Sequence, residues 1–454
     1  MNFIFKTTIN LSIIFISIYT YIYNDSINIM FLLPLTLLIF FILCNNVSKS
    51  ISNNIGFSLL YTTLYIRYAL GPLFLTLNNN IVSRGRILEH YYINQSIMLM
   101  IYELFFIFLT LQIFCRSNTN SMSMIYHHKI NSSRNVGNII YLIICLILII
   151  IYPQLLSRYS FVLFGNNLAD KEVADINYSI LPLFIQVAHL IIIMMVINSF
   201  YKMYQKNEII IFPVLAVFCS LILSSFMIGT SRFSTILPLL TSLFTIFVVF
   251  KKYRKFIFLV SVLSSVGITL LATILKQNTI DQTSNSNAIT LSESINTNIQ
   301  LYFSGIINVG HSIKTSNIYE TFNLESIIND LTNSIVIVSN IFNSNQSALI
   351  SFNRMFYNNN LATDQILPMI GQGYLYFGFF GSTIFTIISV WLILTFNSKI
   401  NSKTNLYDIF IYSYITIKLS LFLMGNMTIN LAFITNFFLL LLVVNLINKK
   451  VKFR

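Results

Sequence analysis

Apolar residues in this chain gather into unbroken runs of roughly the 17 to 25 residues that a membrane-crossing helix requires. The runs fall at about 9–24, 27–44, 55–77, 96–114, 138–156, 178–200, 209–229, 234–250, 256–274, 370–396, 409–424 and 428–447. They are continuous and not alternating, which favours helices over the strands of a membrane barrel. The pattern therefore predicts an all-α polytopic membrane protein with about twelve transmembrane helices. One connection is far longer than the others: roughly 90 residues over 275–369, a length more often functional than ornamental. Its first part is rich in Ser, Thr and Asn. Its second part holds the patches "IQLYFSGIINVG" and "IINDLTNSIVIVSNIF", long enough for short amphipathic helices on the membrane surface. The predicted organisation is a membrane domain over 1–274 with about nine spans, a large loop over 275–369, and a second membrane segment over 370–454 with about three.

Composition narrows this further. Only 9% of the 454 residues are charged and 56% are apolar, against roughly 25% charged in soluble domains. No large soluble domain fits within that composition. Cys44, Cys115, Cys145 and Cys219 show no paired spacing and no C-x-x-C, so neither a disulfide nor a thiolate metal site is expected. The first run follows Lys6 and is not followed by a small-residue cleavage signal, so it reads as an uncleaved span.

The placement of charge sets the orientation. With the N-terminus inside, the cytoplasmic segments carry 17 basic residues against two acids, Glu208 and Asp408, whereas the outer segments carry eight basic residues and eleven acids. Inverting the topology would reverse the positive-inside bias. Both termini and the basic turns are therefore expected in the cytoplasm, with the 275–369 loop outside. The net charge of +13 reads as this bias and not as a nucleic-acid surface.

Ionisable residues inside spans are few, and each is a functional candidate. Arg67, in "YTTLYIRYALGPLF", and Glu103 lie at similar depths, roughly 10 to 14 Å below the outer ends of adjacent antiparallel spans. They are expected to pair, either as a packing pair or as part of a site. Lys418 reads as a residue reaching toward the outer headgroups, and His189 as a satisfied core histidine.

Five arginines fall on the side where the bias disfavours them: Arg84, Arg86, Arg158, Arg232 and Arg354. The planar guanidinium fork suits phosphate and pyrophosphate oxygens. Arg232 stands out because "MIGTSRFSTILPLL" places it in a tight outer turn before a helix N-terminus, where free N–H groups also favour anions. There is no H-E-x-x-H, no phosphate-binding G-x-x-x-x-G-K-[ST], no G-x-S-x-G and no D-x-D. His127 and His128 lack acidic company, and no metal or cofactor is expected.

Two segments then carry a resemblance. "GTSRFSTILPLLTSLFTIFVVFKKYRK" resembles the turn, apolar span and basic inner loop of bacterial oligosaccharide repeat unit polymerases, the Wzy-type O-antigen and capsule polymerases. "LPMIGQGYLYFGFFGSTIF" resembles the stretch that re-enters the membrane after their large outer loop, with Gly371, Gly373, Tyr374, Tyr376, Gly378 and Gly381 in matching places. "LYFSGIINVG" is a third, weaker match at Tyr302, Ser304 and Gly305.

The resemblance implies a bacterial inner-membrane enzyme that joins repeat units linked to undecaprenyl pyrophosphate on the outer face, without a metal. Arg232 and Arg354 would stabilise the departing pyrophosphate, although Arg354 departs from the family's usual spacing to the glycines. Arginines held in place can stabilise that growing charge more than they stabilise the substrate. Among His311, Glu320 and Glu325 as proton acceptors, His311 has the fitting ordinary titration range. Arg67, Glu103, Tyr374 and Tyr376 would line the substrate site. Partners would be the lipid-linked oligosaccharide and membrane lipids, together with chain-length regulator and flippase proteins, and no nucleic acid. Two alternatives stay open: a flippase of lipid-linked oligosaccharides, and an O-antigen ligase-like glycosyltransferase. A single long outer loop and the absence of a visible internal repeat weigh against the flippase.

Overall fold

With no water in a bilayer core, a backbone satisfies its own hydrogen bonds most simply as helix, and the apolar runs of this chain do so. The computed structural model describes residues 2–24, 27, 29–43, 54–78, 82–83, 86–117, 130–132, 135–156, 159–161, 180–228, 233–260, 263, 267, 291–319, 324–339, 347–357 and 365–450. The helices in the first half are α1 (Asn2–Tyr23), α2 (Leu32–Leu43), α3 (Ile55–Tyr65), α4 (Gly71–Asn78), α5 (His90–Ser117), α6 (Val136–Ile151), α7 (Leu181–Lys206), α8 (Ile211–Ser224), α9 (Phe233–Val249) and α10 (Lys251–Val260). The second half holds α11 (Leu291–Tyr302), α12 (Ile306–Ile318), α13 (Leu324–Asn333), α14 (Val336–Ser339), α15 (Ala348–Phe356), α16 (Met369–Gly381), α17 (Ile384–Ser402), α18 (Leu406–Ser420) and α19 (Met427–Lys450). Strand among the described residues is confined to two minimal antiparallel ladders, β1 (Val82–Ser83) with β2 (Arg86–Ile87), and β3 (Tyr159–Phe161) with β4 (Phe226–Ile228).

Among the described residues, four helices are long and apolar enough to cross a membrane: His90–Phe114, Leu181–Lys206, Ile384–Ser402 and Met427–Lys450. A fifth is added if α9 and α10, bent by 106° at their junction, make one broken span. Other runs are interrupted. The run at 27–44 yields the 12-residue α2, which rises only about 18 Å. The run at 370–396 divides into α16 and α17, and α16 is kinked at Gly378, whose φ of 66° lies in the region that favours glycine.

The contacts gather the chain into two compact units. Unit 1 is Met1–Ser123, Ala288–Ser398 and Lys418–Ala432. In it α1 pairs with α2, α2 with α5, and α11 with α4, around Leu33, Phe57, Leu64, Ile97 and Met100. The surprise is α12. It comes from the segment read as an outer loop, yet it is buried from Ile306 to Ile313 and packs on α5, α15 and α16. Small residues permit this approach. A Cβ on Gly310 would lie 2.3 Å from Leu88, and one on Gly371 would lie 2.3 Å from Ser312 Oγ. Hence α12 is integral to a helical core, its neighbours admitted by glycines at the closest approaches.

Unit 2 is Met124–Asn287, Lys399–Ile417 and Phe433–Arg454. Here α7 packs on α8, α8 on α9, and α6 on α7 and the second half of α19. Helix α6 shows which solvent the fold suits. Ile139, Ile143, Ile147 and Ile150 are exposed, whereas Gly137, Asn138, Tyr141 and Cys145 are buried. An apolar exterior over a polar interior face is the arrangement a hydrocarbon surround stabilises.

Candidate functional site

Unit 1 holds the site-residue candidates that the structure describes. Arg67 sits in a single π-helical turn, Ile66–Leu70, between α3 and α4. The cause lies in the next residues: Pro72 has no N–H for the carbonyl four residues back, and its ring crowds that carbonyl. The helix widens instead, and Gly71 N–H donates to the Ile66 carbonyl five residues back.

The expected ion pair is present. Arg67 Nη2 lies 2.9 Å from Glu103 Oε2, with the side chains 1% and 0% exposed. Glu103 also accepts from Thr386 Oγ1 at 3.0 Å, and the Tyr68 hydroxyl lies 3.1 Å from Oε2 and 3.0 Å from the Met100 carbonyl. The carboxylate is therefore surrounded by donors. The guanidinium is less well served: it lies 5.5 Å from the Tyr68 ring, and neither Nε nor Nη2 makes an aligned hydrogen bond among the described residues. The pair is held by charge more than by hydrogen-bond geometry.

A second constellation joins α16 to the helices of 275–369. Gln372 and Tyr376 stand one turn apart on the buried face of α16. The Tyr376 hydroxyl donates to Asp330 Oδ2 on α13 at 2.5 Å, and Gln372 Nε2 donates to the Tyr376 oxygen at 3.2 Å. Gln372 Oε1 accepts the Met427 N–H at 2.8 Å, while Asp330 Oδ2 also accepts the Ala348 N–H at 2.8 Å, at the start of α15. The chain Met427–Gln372–Tyr376–Asp330–Ala348 thus ties α19, α16, α13 and α15 together. Two glycines of the same motif make contacts that no side chain would allow. Gly371 meets Ser312, and a Cβ on Gly373 would fall 2.1 Å from the Ser382 carbonyl.

The remaining candidates are scattered around this frame. His311 on α12 is 3% exposed, with its ring centroid 5.0 Å from that of Phe356. Arg354, in the last turn of α15, is exposed and has no carboxylate within ion-pair distance among the described residues. Tyr374 is half-buried and makes no hydrogen bond among the described residues. Arg232, Arg84, Arg158 and Glu320 lie outside the described residues, as do Lys171, Lys276 and the side chains of Arg86 and Glu325. Lys314 pairs with Glu89 at 2.7 Å. In unit 2, His189 Nε2 lies 2.9 Å from the Leu223 carbonyl, a satisfied core histidine. No group of three metal-ligating side chains occurs among the described residues.

Sequence reasoning missed Asp330, Gln372, Thr386 and Tyr68. Asp330 had a signal: in "LESIINDLTN" it shares a helix face with Ile327, and an acid there needs a polar partner. Comparison of the chain with protein-family models, curated proteins and solved structures finds no match.

Proposed function

We propose that this chain is a polymerase of undecaprenyl-pyrophosphate-linked oligosaccharide repeat units, acting at the outer face of a bacterial inner membrane. One observation carries the reading. Of the three stretches resembling such polymerases, two lie in unit 1, and the helices they enter, α12 and α16, pack on each other, with Gly371 of the second stretch against Ser312, two residues past the end of the other. The motif tyrosine Tyr376 also fastens the helices of 275–369 to α16 through Asp330. Residues that the resemblance singles out thus have close-contact roles a random apolar helix would not require.

In this reading the acceptor hydroxyl attacks the anomeric carbon of the donor glycan, and pyrophosphate leaves. Arg354, exposed and without an acidic partner among the described residues, meets the developing charge with two charge-assisted hydrogen bonds. Arg67 and Glu103 shape the floor of the substrate site, Tyr374 offers a ring face to sugar, and Tyr376, its hydroxyl committed to Asp330, holds the frame of the site. The membrane arrangement belongs to the same proposal: about twelve spans, both termini inside and 275–369 outside, supported by the 17 to 8 division of basic residues.

Two measurements test it. In a cysteine-free background, an impermeant thiol reagent on intact cells should label a cysteine placed at Ser284 and spare one at Tyr253; the reverse pattern refutes the orientation. In a strain lacking its own polymerase, expression should restore long surface glycan on a gel. Export of single repeat units without polymer would instead make the chain a flippase, whose interrupted helices are a known feature of transporters. Transfer of preformed polymer to a new acceptor would make it a ligase.

A further inference from the structure

Asp330 is a buried carboxylate, 6% exposed, in a helix drawn from the 275–369 segment, and no cation pairs with it among the described residues. Burial without a counter-charge is costly, so such a group persists where its charge is used or fully hydrogen-bonded. Among the described residues only one of its oxygens is engaged. Oδ2 takes both the Tyr376 hydroxyl at 2.5 Å and the Ala348 N–H at 2.8 Å, while Oδ1 receives no donor among the described residues. Two donors on one oxygen fix the plane of the carboxylate and leave the other oxygen's lone pairs presented. His311 differs, since both of its ring nitrogens are enclosed by protein and its ring faces Phe356.

We propose that Asp330, and not His311, is the proton acceptor of the transfer reaction, with Tyr376 as the residue that positions it. The assignment rests on the polymerase reading above. As the acceptor hydroxyl oxygen forms its bond to the anomeric carbon, the bond from that carbon to the pyrophosphate oxygen breaks and the pyrophosphate departs with the electron pair. The hydroxyl proton passes to Asp330 Oδ1, giving a neutral carboxylic acid that returns the proton to solvent. Arg354 stands on α15, the helix whose first N–H is held by Asp330, so the base and the anion-binding residue are carried on one linked pair of helices.

Asp330→Asn separates this role from a structural one. The amide oxygen can accept from both Tyr376 and Ala348, so the helix ties survive, but it cannot take the proton. With purified protein in liposomes and lipid-linked repeat units extracted from cells lacking this gene, Asp330→Asn should polymerise at least a hundredfold more slowly. Its thermal midpoint in detergent and its binding of the lipid-linked units should be unchanged. Tyr376→Phe keeps the base but frees it, and should reduce the turnover rate about tenfold with KM little altered, whereas a merely structural tie would lower the thermal midpoint in proportion. Asp330→Asn that is stable and polymerises at the unmutated rate overturns the assignment while leaving the polymerase reading intact. Unmutated protein that makes no polymer in this assay overturns the reading itself.

Discussion

Arg67→Met should be among the most destabilising single substitutions in unit 1, lowering the free energy of unfolding by about 3 to 5 kcal/mol. The expectation follows from what is left behind. Glu103 stays 0% exposed, and without the guanidinium its charge faces, among the described residues, only the Thr386 and Tyr68 hydroxyls. Those bonds contribute about 1.5 to 3 kcal/mol each when the acceptor is charged, less than the desolvation of a lone carboxylate requires. Glu103→Leu should be comparably costly, because it strands a guanidinium whose donors are already poorly served. The double variant should lose less than either single change. Unfolding of the purified protein in mixed micelles, arranged as a double-mutant cycle, measures the coupling directly. Additive losses would show that the 2.9 Å contact carries no net interaction.

Arg354→Ala should do the opposite, leaving stability within about 0.5 kcal/mol and cutting polymer formation roughly a hundredfold. The side chain is exposed, makes no ion pair among the described residues, and lies on a helix that alanine suits. A hundredfold loss corresponds to about 2.7 kcal/mol of transition-state stabilisation, the size expected for removing one well-placed donor from a developing oxyanion. Arg354→Lys keeps the charge and loses the planar fork, so an intermediate rate is expected. Initial rates of polymer growth at matched protein abundance decide the matter. A stable Arg354→Ala protein with unchanged rate would remove Arg354 from the reaction.

What the sequence made legible was chiefly what depends on solvent. Continuous apolar runs gave helices, and two lone charges at equal depth gave the Arg67–Glu103 contact, because hydrocarbon tolerates such charges poorly unless they meet. Features set by local backbone detail stayed hidden. The π turn around Arg67 arises from Pro72, yet a proline in an apolar run reads only as a kink. The burial of α12 was equally obscure, since "IINVGHSIKTSN" has the polarity of a loop and reveals its place only through Gly310 and the surfaces it meets. Asp330 was passed over because a single acid in a polar segment looks solvated until its helix face is known to be covered.

The inside-out polarity of α6 reverses the usual map of mutational tolerance. In a water-soluble helix the isoleucines would be the guarded positions and the small polar residues the free ones. Here Ile139, Ile143, Ile147 and Ile150 face outward, where leucine, valine or phenylalanine would leave the buried polar face untouched. Gly137 has no such latitude: a Cβ there would lie 2.5 Å from the Asn448 backbone, and its N–H is given to Asn448 Oδ1 at 2.8 Å. Drift among relatives of this chain should therefore run through its most hydrophobic letters and spare its glycines and asparagines, so that a search weighted toward apolar identity would look for kinship where least of it is kept.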